Sequence, residues 1–380
     1  MARPVLRIDL DKIEHNARTI VALCREHAIE VIGVTKGVCG HPAVARAMLR
    51  GGVAAIGDSR LEHVQRMRAA GVGASYHLLR VPGLSDVDDV VASVDVSLES
   101  ELCLLEALSA AAAGGGRVHE VVVMVELGDL REGVMPGDLV PFVRAARALP
   151  AIRIVGIGTN LSCLAGVVPT VENMTRLVAL AREVERDAGL GLRWISGMNS
   201  SGLELLAAGR MPPAVNHARI GEGILLGRES THRRPWPGTH QDAFVLHAEV
   251  LELKRKPSVP IGALAEDAFG QRRTFADRGE ILQALLDVGR EDVGPDGLVP
   301  LDPGLVVLGA SSNYLAVDVT HARRPLRVGD RVAFSPRYGA LVAAMTSEYV
   351  DKRTHGGVVT ADAAGAGAPP TATTRTTTSR

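Results

Sequence analysis

Residues 33–41 read Gly33-Val34-Thr35-Lys36-Gly37-Val38-Cys39-Gly40-His41, and the β-type run Val31-Ile32-Gly33-Val34-Thr35 stops on the lysine of that stretch. Gly37 and Gly40 follow at once, so the backbone turns sharply there and can come close to a ligand. Lys36 therefore marks the point where a strand opens into a loop. In α/β folds binding and chemistry collect at that edge, because loops carry the variable groups and strands hold them in place. Partial desolvation there lowers an amine's proton affinity and makes it a nucleophile able to form a Schiff base. Taken alone, the stretch also reads as a surface lysine at the start of an ordinary turn.

Outward from this stretch a pattern repeats. After Val5–Leu10 and a helix-type segment with Ile13, Ala17, Ile20, Val21 and Cys24 on one stripe, apolar runs fall at about 31–35, 53–56, 76–79, 94–97, 119–126, 152–157, 194–197 and 214–220. Helical segments at 42–50, 59–70, 98–112, 137–148, 170–188 and 201–209 alternate with them. Parallel neighbours need a crossover, usually helical, so eight such strands fit a (β/α)8 TIM-type barrel. A doubly wound sheet accounts for the same alternation. Near Thr231–Gly238 the run His232-Arg233-Arg234-Pro235-Trp236-Pro237-Gly238 breaks any helix and reads as a linker. Beyond it, β-type runs at Phe244–Leu253, Leu305–Leu308, Leu315–Val319 and Arg331–Phe334, with a weak helix around Glu280–Leu286, predict a mostly β domain. The division expected is a barrel over 1–235, a β domain over 236–358 that the first strand, 5–10, is free to join, and a disordered Ala/Gly/Thr-rich tail over 359–380.

Composition narrows the function classes. The chain has 380 residues, 46% hydrophobic, with a formal net charge of -1, which gives no electrostatic reason for a nucleic-acid or membrane partner. Cys24, Cys39, Cys103 and Cys163 lie far apart without metal-type spacing, as in a reduced cytosolic protein. No window approaches the roughly 20 apolar residues of a membrane span. The expectation is a soluble, cytoplasmic protein with no metal.

If the strands close into a barrel, their ends share one face, and those ends carry a coherent set of polar residues. Lys36 ends one strand; others lead into Glu126–Gly133 with Arg131, Gly156–Cys163 with Asn160, Ser196–Gly202 with Asn199 and Ser200, and Asn216–Gly223 with Arg219, Gly221 and Glu222. Asn199-Ser200-Ser201-Gly202 and Gly221-Glu222-Gly223 offer hydroxyl and backbone N–H groups of the kind a phosphate needs. A lysine, a phosphate cradle and an arginine at one mouth point to pyridoxal 5'-phosphate.

With these motifs in this order over nearly all of residues 5–350, the chain resembles the alanine-racemase-like, fold type III pyridoxal-phosphate enzymes, in the alanine/ornithine racemase branch. The resemblance implies an amino-acid racemase acting on alanine, ornithine or another small or basic amino acid. It implies Lys36 as the internal-aldimine lysine and one proton-transfer base, and Arg131 beside the cofactor phenolate and substrate carboxylate. Arg219 would face the pyridine nitrogen, and Ser200, Gly221, Glu222 and Tyr338 would hold the phosphate. It also implies a homodimer in which the partner's β domain completes each site. An arginine donates to the ring nitrogen without protonating it, which weakens the electron sink and suits racemisation over transamination; the other reading of Arg219 is an ion pair with Glu222.

The chain departs from the family at several positions. Phe269 stands where the two-domain racemases have a proton-transferring tyrosine, Cys39 or Gly40 replaces a phosphate-side tyrosine, Asn160 replaces a ring-stacking histidine, and Asn313 stands where an aspartate is expected. Asp267, Cys163, Tyr314, His41 and His217 are the candidates for the second base, unless Lys36 serves both faces. Other readings are a pyridoxal-phosphate decarboxylase, aldolase or lyase, or a non-catalytic cofactor-binding protein. Acidic Glu266, Asp267 and Asp318 in the β domain suggest a basic substrate.

Overall fold

The computed structural model describes residues 3–357. Strand β1 (Val5–Asp9) runs directly into helix α1 (Leu10–Glu26). Asp9 caps that helix by accepting the Lys12 N–H at 3.1 Å, and Ile13, Ala17, Ile20, Val21 and Cys24 form its buried stripe. Eight parallel strands follow: β2 (Glu30–Val34), β3 (Ala55–Asp58), β4 (Tyr76–Leu78), β5 (Val96–Glu99), β6 (His119–Met124), β7 (Ile152–Gly158), β8 (Trp194–Ser196) and β9 (His217–Ile220). They pair in chain order from β2 to β8, and β9 returns to pair with β2. A parallel bridge between Met198 and Ala218 joins the last seam. The sheet is thus a closed barrel, which excludes the doubly wound alternative.

Alternation along these strands splits the core in two. Val34, Val96, Leu98, Val122, Met124, Val155 and Trp194 fill the barrel interior, while the opposite faces pack against the helices. Those helices are α2 (Pro42–Arg50), α3 (Leu61–Ala69), α4 (Val87–Ser93), α5 (Leu102–Gly114), α6 (Leu139–Arg147), α7 (Val171–Ala188), α8 (Leu203–Ala207) and α9 (Glu222–Leu225). Helix α4 is absent from the sequence reading. It is short, and its stretch Ser85-Asp86-Val87-Asp88-Asp89 has the composition of a loop, with Val87, Val90 and Ser93 alone making its buried face.

The second sheet comprises β10 (Phe244–Pro257), β11 (Glu280–Leu286), β12 (Leu298–Pro300), β13 (Val306–Ala310), β14 (Leu315–Asp318), β15 (Arg331–Pro336) and β16 (Asp351–His355), with helix α10 (Tyr338–Thr346) between the last two. Its order is β12-β15-β10-β11-β14-β13. Strand β1 lies in this sheet, antiparallel to β10 and parallel to β16. One expectation is corrected here: Glu280–Leu286 is a strand paired on both sides, not a weak helix. Its buried Ile281 and Ala284 are three apart, a spacing that imitates a helix turn, but ladder pairing to β10 and β14 decides the conformation.

The segment after β9 is tied down despite its linker composition. Buried Glu229 accepts the N–H groups of Thr231 (2.8 Å) and Arg234 (2.7 Å). Among the described residues no helix is long and apolar enough to cross a membrane. The Thr-rich tail, expected to be disordered, lies outside the described residues.

Candidate active site

Strand β2 delivers Lys36 to the barrel mouth. Thr35, fully buried, donates its hydroxyl to Asp58 at 2.7 Å and its N–H to Gly57 O at 2.9 Å, locking the strand end. Residues Lys36–Val38 then form one 3-10 turn, which Cys39 (φ 53°) and Gly40 (φ 60°) close in the left-handed region. Gly37 is required by a close approach: a Cβ there would lie 3.1 Å from Cε2 of Tyr338. Tyr338 opens α10 and so brings the second sheet's helix down onto the lysine turn. Burial, then the negative charge of Glu222, pushes its phenol up to about 12, so its hydroxyl is a donor throughout the working range.

Arg219 rises from the interior of β9. It is buried, and it donates to Ser196 O at 3.0 Å, to the Ser196 hydroxyl and to Thr159 O. Its ion pairing with Glu222 is not what the structure shows: Glu222 lies 3.7 Å from Arg233 instead. Burial and then the field of Arg131 lower the guanidinium pKa to about 10, which leaves it charged at neutral pH. Beside it, buried Ser200 accepts the Gly223 N–H at 3.0 Å, which fixes its hydroxyl against the Gly221–Glu222 backbone. Asn199 lines the same cleft, but its amide is committed to Leu161 O (2.8 Å) and Ser201 (2.7 Å), so it shapes the rim.

The opposite wall comes from the loops after β6 and β7. Glu126 accepts the Leu130 and Arg131 N–H groups at 3.1 and 3.0 Å, and Glu132 pairs with the Arg131 guanidinium. Burial works against that charge, but the bonds to Glu132 raise the Arg131 pKa above its usual value. With its carbonyl turned toward Arg131, Asn160 accepts from Nη1 at 2.7 Å and from Nη2 at 3.2 Å. Nη1 also lies 2.9 Å from the Cys163 sulfur.

Asp129 explains why Cys163 is there. Its fully buried carboxylate accepts four N–H groups, from Cys163, Leu164, Gly166 and Val167, at 2.8–3.2 Å. Burial opposes ionisation, yet these bonds outweigh it and hold the carboxyl below the ordinary value. Stability of that kind is present above the unfolded-state pKa and is lost as pH falls through the lowered folded one. Asp129→Ala is therefore expected to cost about 1–3 kcal/mol. The measurement is the thermal midpoint at pH 7, with the gap to wild type shrinking in acid.

Lys36, Arg131, Asn160, Asn199, Ser200, Arg219, Gly221, Glu222 and Tyr338 all line one cleft of about 220 Å³. Of the second-base candidates, Cys163 lines it too, and Asp267, Tyr314, His41 and His217 do not. His217 sits buried inside the barrel, 2.7 Å from the Ser196 hydroxyl, and burial keeps it neutral. Asp267 is spent on the N–H groups of Phe269 and Gln271 in an exposed loop, with Phe269 itself 43% exposed. Cys39 faces away, toward Thr346. The sequence reading missed Arg233, Ser230 and Asp129; the linker's double arginine was the available signal for the first.

The donor set suits a phosphorylated aromatic aldehyde. A buried guanidinium held by carbonyls and a hydroxyl would suit a ring nitrogen, the Ser200 and Tyr338 hydroxyls would suit a phosphate, and the Lys36 amine at the strand end would suit the aldehyde. This barrel and site define the fold type III class of pyridoxal-phosphate enzymes. The family profile described as alanine racemase, N-terminal domain, matches residues 8–229. An ornithine racemase of Acetoanaerobium sticklandii is 38% identical over 92% of this chain and 99% of its own length. A lysine racemase of Thermotoga maritima is 37% identical over 93% and 98% respectively. The fold is shared with the crystal structure of alanine racemase from Streptomyces lavendulae, at a TM-score of 0.71 and 18% identity over 94% of this chain and 98% of that one. The chain belongs to the alanine racemase family and is a pyridoxal-phosphate-dependent amino-acid racemase.

Proposed function

We propose that the protein interconverts the L and D forms of a basic amino acid, ornithine or lysine, with pyridoxal phosphate carried covalently on Lys36. The observation that supports this most is the single cleft into which the loops after β2, β6 and β8, strand β9 and helix α10 bring Lys36, Arg131, Ser200, Arg219 and Tyr338. Two relatives that match over nine-tenths of this chain are an ornithine racemase and a lysine racemase. Bound there, the cofactor supplies an electron sink that acidifies the α-proton of an amino acid joined to it.

The protein's own groups do the rest. Lys36 Nζ takes or returns the α-proton on its side of the cleft. Arg219 stays protonated, so it donates to the ring nitrogen without surrendering a proton and keeps the sink shallow. Ser200, Tyr338 and the Gly221–Glu222 backbone hold the phosphate. Arg131, fixed by Glu132 and Asn160, faces the substrate carboxylate. Tyr338→Phe removes one donor to a charged acceptor, worth about 1.5–3 kcal/mol, and is expected to weaken cofactor binding roughly tenfold or more. A fluorescence titration of the apoprotein measures it.

Cys163 is the proton carrier we assign to the other side. In barrel order β7, whose loop bears Cys163, lies three strands from β2 by the shorter way round, and Cys163 lines the same cleft as Lys36. Asp129 holds that loop and Arg131 orients the sulfur. Glu266, Asp267 and Asp318 do not line this cleft, and they would act on a basic substrate only from a partner subunit in a homodimer. Incubation with L-ornithine, L-lysine and L-alanine in deuterated water, followed by chiral chromatography, tests the reading. D-Ornithine or D-lysine carrying α-deuterium is expected; carbon dioxide or aldehyde release without any D-isomer would contradict it.

A further inference from the structure

A second cluster of ionisable groups lies behind the Lys36 turn, outside the cleft. Asp58 is fully buried and receives the Thr35 hydroxyl and the Ser59 and Arg60 N–H groups. Its Oδ1 also lies 2.8 Å from His63 Nδ1. The His63 ring in turn lies against the Cys39–Gly40 turn, near enough to the Cys39 thiol for each to shift the other's proton affinity. Backbone packing fixes that meeting: a Cβ at Gly40 would fall 2.6 Å from the His63 Cβ, so the loop rests directly on the histidine. The sulfur also has the Thr346 hydroxyl at 3.5 Å, and Arg66 donates to Cys39 O at 2.5 Å.

Carboxylate, imidazole and thiol are thus strung in the order Asp58, His63, Cys39. The bond to Asp58, and then the neighbouring Cys39 sulfur, raise the His63 pKa to about 9, so the ring is a cation at neutral pH. Burial alone would raise the thiol, but His63, Thr346 and Arg66 together pull it below its ordinary value. Cys24, by contrast, is buried in the core and pushed up to about 12. Nothing in the racemase reading uses the Cys39 group.

We infer that Cys39, with His63 and Asp58, is a modification site for hydroperoxides, placed to couple thiol oxidation to the grip on the cofactor. The thiolate attacks one peroxide oxygen; an S–O bond forms as the O–O bond breaks. Sulfur is oxidised by two electrons, the peroxide is reduced, and the His63 imidazolium protonates the departing hydroxide to water. A low-molecular-weight thiol then displaces water to give a mixed disulfide, and a second thiol restores Cys39 with release of the small disulfide. Cys39 lies three residues after Lys36, and Thr346 ends the helix that Tyr338 begins. A group added to the sulfur breaks the Cys39–Thr346 contact and pries α10 from the lysine turn. That consequence rests on the reading of Lys36 and Tyr338 above; the chemistry at Cys39 does not.

The test treats the holoenzyme at neutral pH with limiting hydrogen peroxide in the presence of dimedone, then maps the cysteine peptides by mass spectrometry. Cys39 is expected to label at least tenfold faster than exposed Cys103, and His63→Gln, shown folded by its thermal melt, to bring the two rates together. Equal rates in the wild type, or a Cys39 rate unmoved by His63→Gln, would overturn the site. In a second arm, peroxide lowers wild-type racemisation several-fold, dithiothreitol restores it, and Cys39→Ser is indifferent to both. A Cys39→Ser enzyme that still loses activity reversibly would overturn the coupling.

Discussion

Lys36→Ala is expected to remain folded and to lose racemisation by roughly 1,000- to 10,000-fold, the range general acid–base and covalent catalysis supply. The loss should be local. Lys36 is half-buried and belongs to a turn whose framework comes from Thr35, Gly57 and Asp58 rather than from the lysine. A thermal midpoint close to wild type, no aldimine colour and no α-proton exchange from either enantiomer are the expected readouts. Racemisation retained in the variant would remove the lysine from the chemistry.

Cys163→Ala carries the second large effect, and its signature is asymmetry. With Lys36 and Cys163 as the proposed carriers, each would serve one enantiomer, so removing the thiol should leave exchange from the enantiomer whose proton faces Lys36. Exchange from the mirror image should fall by about 100- to 10,000-fold, and net racemisation with it. Proton NMR of each pure enantiomer in deuterated water reads both rates separately. Equal losses for the two, or none, would return the role to a residue outside this cleft.

The fold was legible because parallel strands buried on both faces leave apolar runs that stand out between helices. Each of the eight barrel strands falls on one of those runs. Helix α4 and strand β11 were not legible, the first hidden by Asp88 and Asp89, the second by a three-residue spacing of buried positions. Site residues such as Lys36, Asn160 and Arg219 could be named because each lies within or just beyond a strand end, where the topology alone assigns a direction. Asp129 and His63 could not. Their roles depend on where a carboxylate or an imidazole meets a loop folded back from elsewhere in the chain, and no spacing encodes that. The absence of a tyrosine at Phe269 was visible; that Cys163, alone of the second-base candidates, lines the cleft with Lys36 became visible only in the folded chain.

The central claim is a covalent bond between the cofactor aldehyde and one amine. Reducing the yellow holoprotein with borohydride, digesting it and sequencing the fluorescent peptide by mass spectrometry tests that bond directly. The account predicts a pyridoxyl group on Nζ of Lys36 and on no other lysine. A label on a different lysine, or a protein that takes up no cofactor at all, would contradict it.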